Sequence, residues 1–227
     1  VVAHPDDIDF GAGGTVKRWT DAGVKVTYCL ATNGDAGGFD LDFPRSLMPQ
    51  VRQEEQRAAA KVLGVQDIYF LGYEDGKLEV SLELRKKIAE VIRIVKPKRV
   101  LTQNPERNYQ RVFSSHPDHM AAAEAALQAV YPDARNPFAF PELLEAGLEP
   151  HSVDEVWIMS HATPDTFVDV SSTFEAKLEA LRCHVSQETD KNNDLDARMR
   201  QWLSANTLAA GWEPGRLAEA FLRISTS

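Results

Sequence analysis

Three features make this chain an α/β protein with a mostly parallel sheet flanked by helices. Short apolar runs alternate with amphipathic segments long enough to carry the chain back across a sheet, as parallel neighbours require. The polar segments richest in glycine and histidine fall where the apolar runs stop, which in an open parallel sheet is the ligand-binding edge. Finally, 227 residues with 43% apolar content suffice for one α/β domain, residues 1–227, with a large core.

The elements follow in order. Val1-Val2-Ala3 reads as a strand edge, and His4-Pro5-Asp6-Asp7 leaves it through a turn stiffened by proline. Gly11-Ala12-Gly13-Gly14-Thr15 leads into a short helix over residues 16–22, with Gly23 as its C′ residue. Residues 24–31 are a buried strand, followed by a glycine-rich loop from Thr32 that runs irregularly to Pro49. Residues 51–63 form a helix, with Ala58, Ala59, Val62 and Leu63 at helical spacing and Gly64 at its end. Residues 67–71 are a strand and 72–76 a turn. Ser81 opens a helix whose Leu84, Ile88, Val91 and Ile92 share a face and which Pro97 stops. Residues 99–102 are a fourth strand, and a further helix begins near Pro117 with Met120, Ala123, Ala126, Leu127 and Val130 inward. Residues 133–150, with Pro137, Pro141 and Pro150, predict a long irregular excursion. Two more strands are expected over 156–159 and 167–170. Ser172 and Glu175 have capping-box spacing before a helix over 176–183, and His184 suits a helix C-terminus. A polar stretch, 186–196, precedes a helix over 198–209, and 218–224 is expected as an edge strand.

Charge narrows the class of partner. Lys and Arg total 25 against 34 Asp and Glu, a formal charge of −9, the wrong sign for nucleic acid or an anionic membrane surface. A small-molecule ligand fits better. No apolar run approaches the roughly eighteen residues of a membrane span, and neither of the two cysteines lies in a CxxC spacing, so both are assigned to the core. These features predict a soluble, cytoplasmic protein, although residue 1 already lies within a strand.

Four loops leave the predicted carboxyl edge: 4–7, 32–35, 72–76 and 103–119. Three of the six histidines fall in two His-Pro-Asp motifs on the first and last of them. If those loops meet, His4, Asp7 and His119 supply two imidazoles and a carboxylate, the donor set of a catalytic zinc site with an open position. Iron(II) accepts the same donors. Asp6 is either a turn residue or a general base beside the metal. His116, three residues before His119, either caps the helix or donates to developing oxyanion charge. Asp118 serves the helix start or orients an imidazole. Gly11–Gly14 lacks dinucleotide spacing and reads as room for close approach. Arg52 and Asp75 are candidates for binding a polyhydroxylated substrate, although Arg52 lies in a charged run that ordinarily marks a solvated face.

The combination of Ala3-His4-Pro5-Asp6-Asp7, Gly13-Gly14-Thr15 and His116-Pro117-Asp118-His119 resembles the LmbE-like, or PIG-L, de-N-acetylases related to N-acetylglucosaminyl-phosphatidylinositol deacetylase, from Val1 to about Gln187. The resemblance implies a Rossmann-like fold, zinc on His4, Asp7 and His119, a base at Asp6, an oxyanion-stabilising imidazole at His116, and substrate contacts at Arg52 and Asp75. It departs from the mycothiol-pathway members, which have a tyrosine where Ser114 stands; Tyr109 reaches in from the same loop, or His116 acts alone. The implied activity is removal of the N-acetyl group from an N-acetylglucosamine-type sugar or conjugate. The alternatives are an amidase of glucosamine-containing thiol conjugates, a non-catalytic metal-dependent sugar-binding protein, and an iron-dependent oxygenase. Substrate selection is expected from the irregular segments 36–48 and 133–150.

Overall fold

The computed structural model describes residues 1–187 and 194–226. Within the polar stretch expected over 186–196, residues 188–193 lie outside the described residues. Strands β1 (Thr27–Thr32) and β2 (Asp67–Tyr73) pair in parallel, with Leu30 opposite Phe70. β3 (Arg99–Thr102) and β4 (Glu155–Met159) also pair in parallel, but β6 (Ala218–Ser225) runs antiparallel to both β4 and β5 (Thr166–Asp169). The order is β3-β4-β6-β5, so the sheet is mixed, and β6 lies inside it rather than at its edge. The reason is burial: Ala218 and Phe221 are fully enclosed, as an edge strand would not need.

Residues 1–3 join the two sheets. Val2 N donates to Cys29 O and Ala31 N to Val2 O, while on the other side Val1 N reaches Leu101 O and Ala3 N the Gln103 Oε1. Alternation of side chains then divides the core. Val100, Val156 and Ile158 face one cluster with α3 (Leu82–Val95) and α4 (Pro117–Gln128). Leu101, Trp157 and Met159 face the other, with α1 (Asp7–Asp21), α2 (Met48–Val62) and α6 (Phe174–Arg182). A third cluster joins α6 to α7 (Leu195–Ala209). Among the described residues no helix is long and apolar enough to cross a membrane.

The glycine run does not precede the first helix but lies inside it, because packing overrides glycine's poor helix propensity. An added Cβ at Gly14 would sit 2.7 Å from Val170 Cβ, and one at Gly11 would overlap Met159 Sδ. This close approach lets two buried side chains reach the α1 backbone. Lys177 Nζ donates to Asp9 O (3.0 Å), Phe10 O (2.6 Å) and Glu219 Oε1 (2.6 Å), and Glu219 accepts from Gly14 N and Thr15 N. Gly14→Ala is therefore expected to destabilise. Overpacking against Val170 costs about 1–3 kcal/mol, against roughly 1 kcal/mol gained in helix propensity. The melting temperature should fall by a few degrees, at about 2–4 °C per kcal/mol for a chain of this size. An unchanged melting temperature would mean that Val170 yields.

Other boundaries moved for local reasons. Ser81 caps α3 through Leu84 N, as its position predicts. Ser172 forms no capping box: residues 171–173 make a 3₁₀ turn, and Thr173, the N-cap of α6, instead donates its hydroxyl to Gly14 O. In α2 the buried stripe is Arg52, Gln56, Ala59, Ala60, not Ala58, which is exposed. On α4, Ala123 and Ala126 are fully buried as their spacing predicts, Ala121, Ala122 and Ala125 pack into the core beside Ala129 and Val130 just beyond the helix, and Met120 is only half-buried. The segment after α4 is less irregular than its prolines suggest, since α5 (Pro141–Glu145) buries Leu143. Cys29 is buried, whereas Cys183 is only half-buried.

Candidate metal centre

The four polar loops converge. Asp75 N donates to Asp35 Oδ1, Gly76 N to Asp118 Oδ2, and His4, at the end of the joining segment, contacts residues from three of these loops. On one side of its ring, Nδ1 lies 3.1 Å from His119 Nε2 and 3.3 Å from Asp7 Oδ2, and His119 Nε2 is 3.0 Å from Asp7 Oδ1. Donor atoms that share a tetrahedral ion at roughly 2.0–2.2 Å lie only a little farther apart than this. On the other side, Nε2 lies 3.0 Å from Asp75 Oδ1 and 3.2 Å from Asp118 Oδ2. Two further groupings able to hold a metal share the same histidine: His4 with His116 and His119, and His4 with Asp75 and Asp118.

Hydrogen bonding separates these groupings. Asp118 is fully buried and already accepts from Gly76 N (2.7 Å) and Leu78 N (3.2 Å), so it suits a carboxylate that orients an imidazole. With an ion in place of the Nδ1 proton, a proton on His4 Nε2 would serve Asp118 and Asp75 while the Nδ1 lone pair faced Asp7 and His119. The electrostatics fit a bound cation. Burial alone would lower the His4 pKa, yet the carboxylates of Asp118, Asp7 and Asp75 outweigh it and raise it to about 12. Burial likewise opposes ionisation of Asp7, but the charge and hydrogen bond of His119, with His4, hold that carboxyl below its ordinary range. The cluster demands positive charge, which a divalent ion would provide.

Asp6 stands at the N-cap of α1 with φ 91°, a conformation costly for most side chains other than glycine, though asparagine and aspartate bear it best. Burial pushes its carboxyl up to about 7 against the pull of Arg52, whose Nη2 lies 3.1 Å from Oδ2. Arg52 is 3% exposed, so the solvated-face reading does not hold, and the same Nη2 also donates to Pro5 O. His116 both caps and faces the cluster. Its Nδ1 accepts from Asp118 N (3.2 Å), and its ring meets that of His4 edge-on at 4.9 Å between centroids. Accepting at Nδ1 places the proton of the neutral ring on Nε2. Burial, with the positive charges of His4 and His119, lowers the His116 pKa and favours that neutral form.

Tyr109 does not reach in; its side chain is 84% exposed, and Ser114 turns its hydroxyl back to Arg111 O. His184 is not a helix cap but a buried partner of Asp9, with Nε2 2.8 Å from Oδ2. Gln56, Asp9 and His184 thus form a polar group beneath the centre that sequence reasoning missed. The only signal was spacing, since Gln56 lies one helical turn after Arg52.

The family described as "PIG-L: GlcNAc-PI de-N-acetylase" matches residues 1–130. A diacetylchitobiose deacetylase from Thermococcus kodakarensis is 39% identical over 184 residues, covering 81% of this chain and 67% of that protein. A probable N-acetyl-alpha-D-glucosaminyl L-malate deacetylase 2 from Bacillus cereus is 32% identical, covering 88% and 87%. The solved structure of N,N'-diacetylchitobiose deacetylase from Pyrococcus horikoshii, complexed with its inhibitor MPG, superposes with a TM-score of 0.89 at 31% identity, covering 98% of this chain and 81% of that one.

Proposed function

This chain belongs to the PIG-L family of de-N-acetylases, and from that premise we propose that it hydrolyses the N-acetyl amide of an N-acetylglucosamine-type sugar or conjugate. The observation that carries this reading is the meeting of His4 Nδ1, Asp7 and His119 Nε2 within 3.0–3.3 Å of one another beside the Asp6 carboxylate. His4, Asp7 and His119 would hold a divalent ion, which we take to be zinc; iron(II) accepts the same donors. When bound, such an ion supplies Lewis acidity, making water more acidic and a carbonyl more electrophilic.

The remaining steps belong to the chain's own groups. Asp6, with a carboxyl shifted towards neutrality, takes the proton from the attacking water and returns it to the leaving amine nitrogen. His116 donates its Nε2–H to the oxygen that becomes negative as the carbonyl carbon turns tetrahedral. Asp118 and Asp75 hold His4 in one tautomer and orientation. Asp75, through its second carboxylate oxygen, and Arg52, through the Nη1 edge beside Gly34 and Gly37, are the proposed contacts for sugar hydroxyls. The glucosamine-containing thiol conjugates would use the same centre, so substrate trials separate the two readings.

The deciding experiment is acetate release from a panel of N-acetylglucosamine derivatives with varied aglycones, N,N'-diacetylchitobiose among them. Stoichiometric acetate and free amine are expected, with Asp75→Ala lowering kcat/KM by about tenfold or more, the range of a lost charged hydrogen bond. Binding without turnover would instead support a sugar-binding protein. Rapid cleavage of a non-sugar amide alone would remove the substrate class.

A further inference from the structure

The Asp6 backbone is held in its left-handed conformation by two side chains of α2 that grip opposite edges of one peptide plane. The Pro5–Asp6 peptide presents its carbonyl oxygen on one edge and its N–H on the other. Arg52 Nη2 donates to Pro5 O, and Asp6 N donates to Gln56 Oε1 at 2.8 Å. Arg52 and Gln56 are one helical turn apart on the buried face of α2, so a single rigid element fixes the plane from both sides. Rotation of this plane is the rotation that sets φ of Asp6.

Gln56 cannot turn its amide around. Its Nε2 donates to Asp9 Oδ2 at 2.9 Å, and Asp9 also accepts from His184 Nε2 at 2.8 Å. Gln56 and Asp9 are both fully buried, so no solvent competes for these bonds. The carbonyl end of Gln56 is therefore committed to the Asp6 N–H. Without that acceptor the partly buried Asp6 N–H would lose its partner, and φ at 91° would relax towards the ordinary negative region, carrying the carboxylate with it.

We infer that Gln56 is a positioning residue for this reaction, holding the proton-transferring carboxylate of Asp6 in place through its backbone, with Asp9 and His184 fixing the orientation of the Gln56 amide. The inference rests on the reading of Asp6 as the base. It predicts a defect confined to turnover, because the groups proposed to hold the metal and the sugar do not depend on Gln56 for their contacts.

Gln56→Leu removes the acceptor. Gln56→Asn keeps a buried amide but withdraws the carbonyl by one methylene, and it decides the matter if the leucine variant fails to fold. Each folded variant is expected to keep one equivalent of metal and a KM within about twofold, while kcat falls about ten- to hundredfold, the scale of a small misplacement of a reacting group. Thr20→Val removes a hydrogen bond to Leu63 O at the far end of α2 and should leave kcat unchanged, which separates positioning from general loosening. In an Asp6→Asn background, Gln56→Asn should cost less than about twofold further, because residues acting through one another are not additive. Wild-type kcat in a folded Gln56 variant, a loss that follows metal content or KM, or full additivity with Asp6→Asn would each overturn the inference. Wild-type kcat in Asp6→Asn itself would instead overturn the reading of the base.

Discussion

Alanine at His4, Asp7 or His119 is expected to release the bound metal and with it nearly all turnover. His4 Nδ1 and His119 Nε2 lie 3.1 Å apart and each approaches one carboxylate oxygen of Asp7, at 3.3 and 3.0 Å, so each variant leaves two of the three donor groups. Removal of a group that merely orients a ligand already costs roughly ten- to hundredfold in metal affinity or activity. Loss of a ligand should exceed that, by more than about a hundredfold. His4→Ala should be the most severe of the three, because it also strands the carboxylates of Asp75 and Asp118, which lose the partner at 3.0 and 3.2 Å. Elemental analysis after dialysis, with activity measured against added zinc, is the direct check. The parent protein treated with a chelator should lose activity and regain it with metal. Retention of one equivalent of metal by Asp7→Ala and His119→Ala, with loss in His4→Ala, would mean that another grouping holds the ion, most directly His4 with Asp75 and Asp118 tested through Asp118→Ala, and retention by all three would overturn the ligand set.

Asp6→Asn should separate holding from chemistry. Asparagine matches the shape, keeps an oxygen for Arg52 Nη2, and tolerates the positive φ of 91° better than most residues. It cannot take a proton from water. Metal content and KM should therefore stay near those of the parent, while kcat falls by about 10²–10⁴, equivalent to about 2.7–5.4 kcal/mol in the barrier. Asp6→Ala should lose the same step and also leave Arg52, buried and charged, without its carboxylate, so its melting temperature should drop where that of Asp6→Asn does not. A fully active Asp6→Asn would remove the proton-transfer role from Asp6.

The two His-Pro-Asp motifs were legible because the residues of each are local. His4 and Asp7 flank one turn, His116 and His119 one helix start, and a parallel arrangement of strands sends both loops to the same edge. Repetition of His-Pro-Asp at two such points was enough to expect their meeting. Helix α3 was equally legible, since its cap at Ser81 and its apolar stripe lie within one short window.

What the sequence hid depended on which surface each element packs against. The apolar pattern of α2 pointed to Ala59 and Leu63, which are buried, yet its buried face also carries Arg52 and Gln56, polar residues that a hydrophobic count places outside. They are buried because the Pro5–Asp6 peptide and the Asp6 carboxylate lie across from them, in a segment nearly fifty residues away. Glycines at 11, 13 and 14 looked like a loop because their individual propensities are poor, but Met159 and Val170 crowd the places a side chain would take at Gly11 and Gly14, and Lys177 packs close to Gly13. β6 looked like an edge because nothing local to it announces two antiparallel neighbours. The sequence by itself determined the two His-Pro-Asp motifs and the edge they occupy, since each motif lies covalently close to a strand end. Only the tertiary structure decided which imidazole nitrogen faces which carboxylates, and what holds Asp6 in its strained conformation, since those depend on hydrogen bonds between groups that meet only after the core has packed.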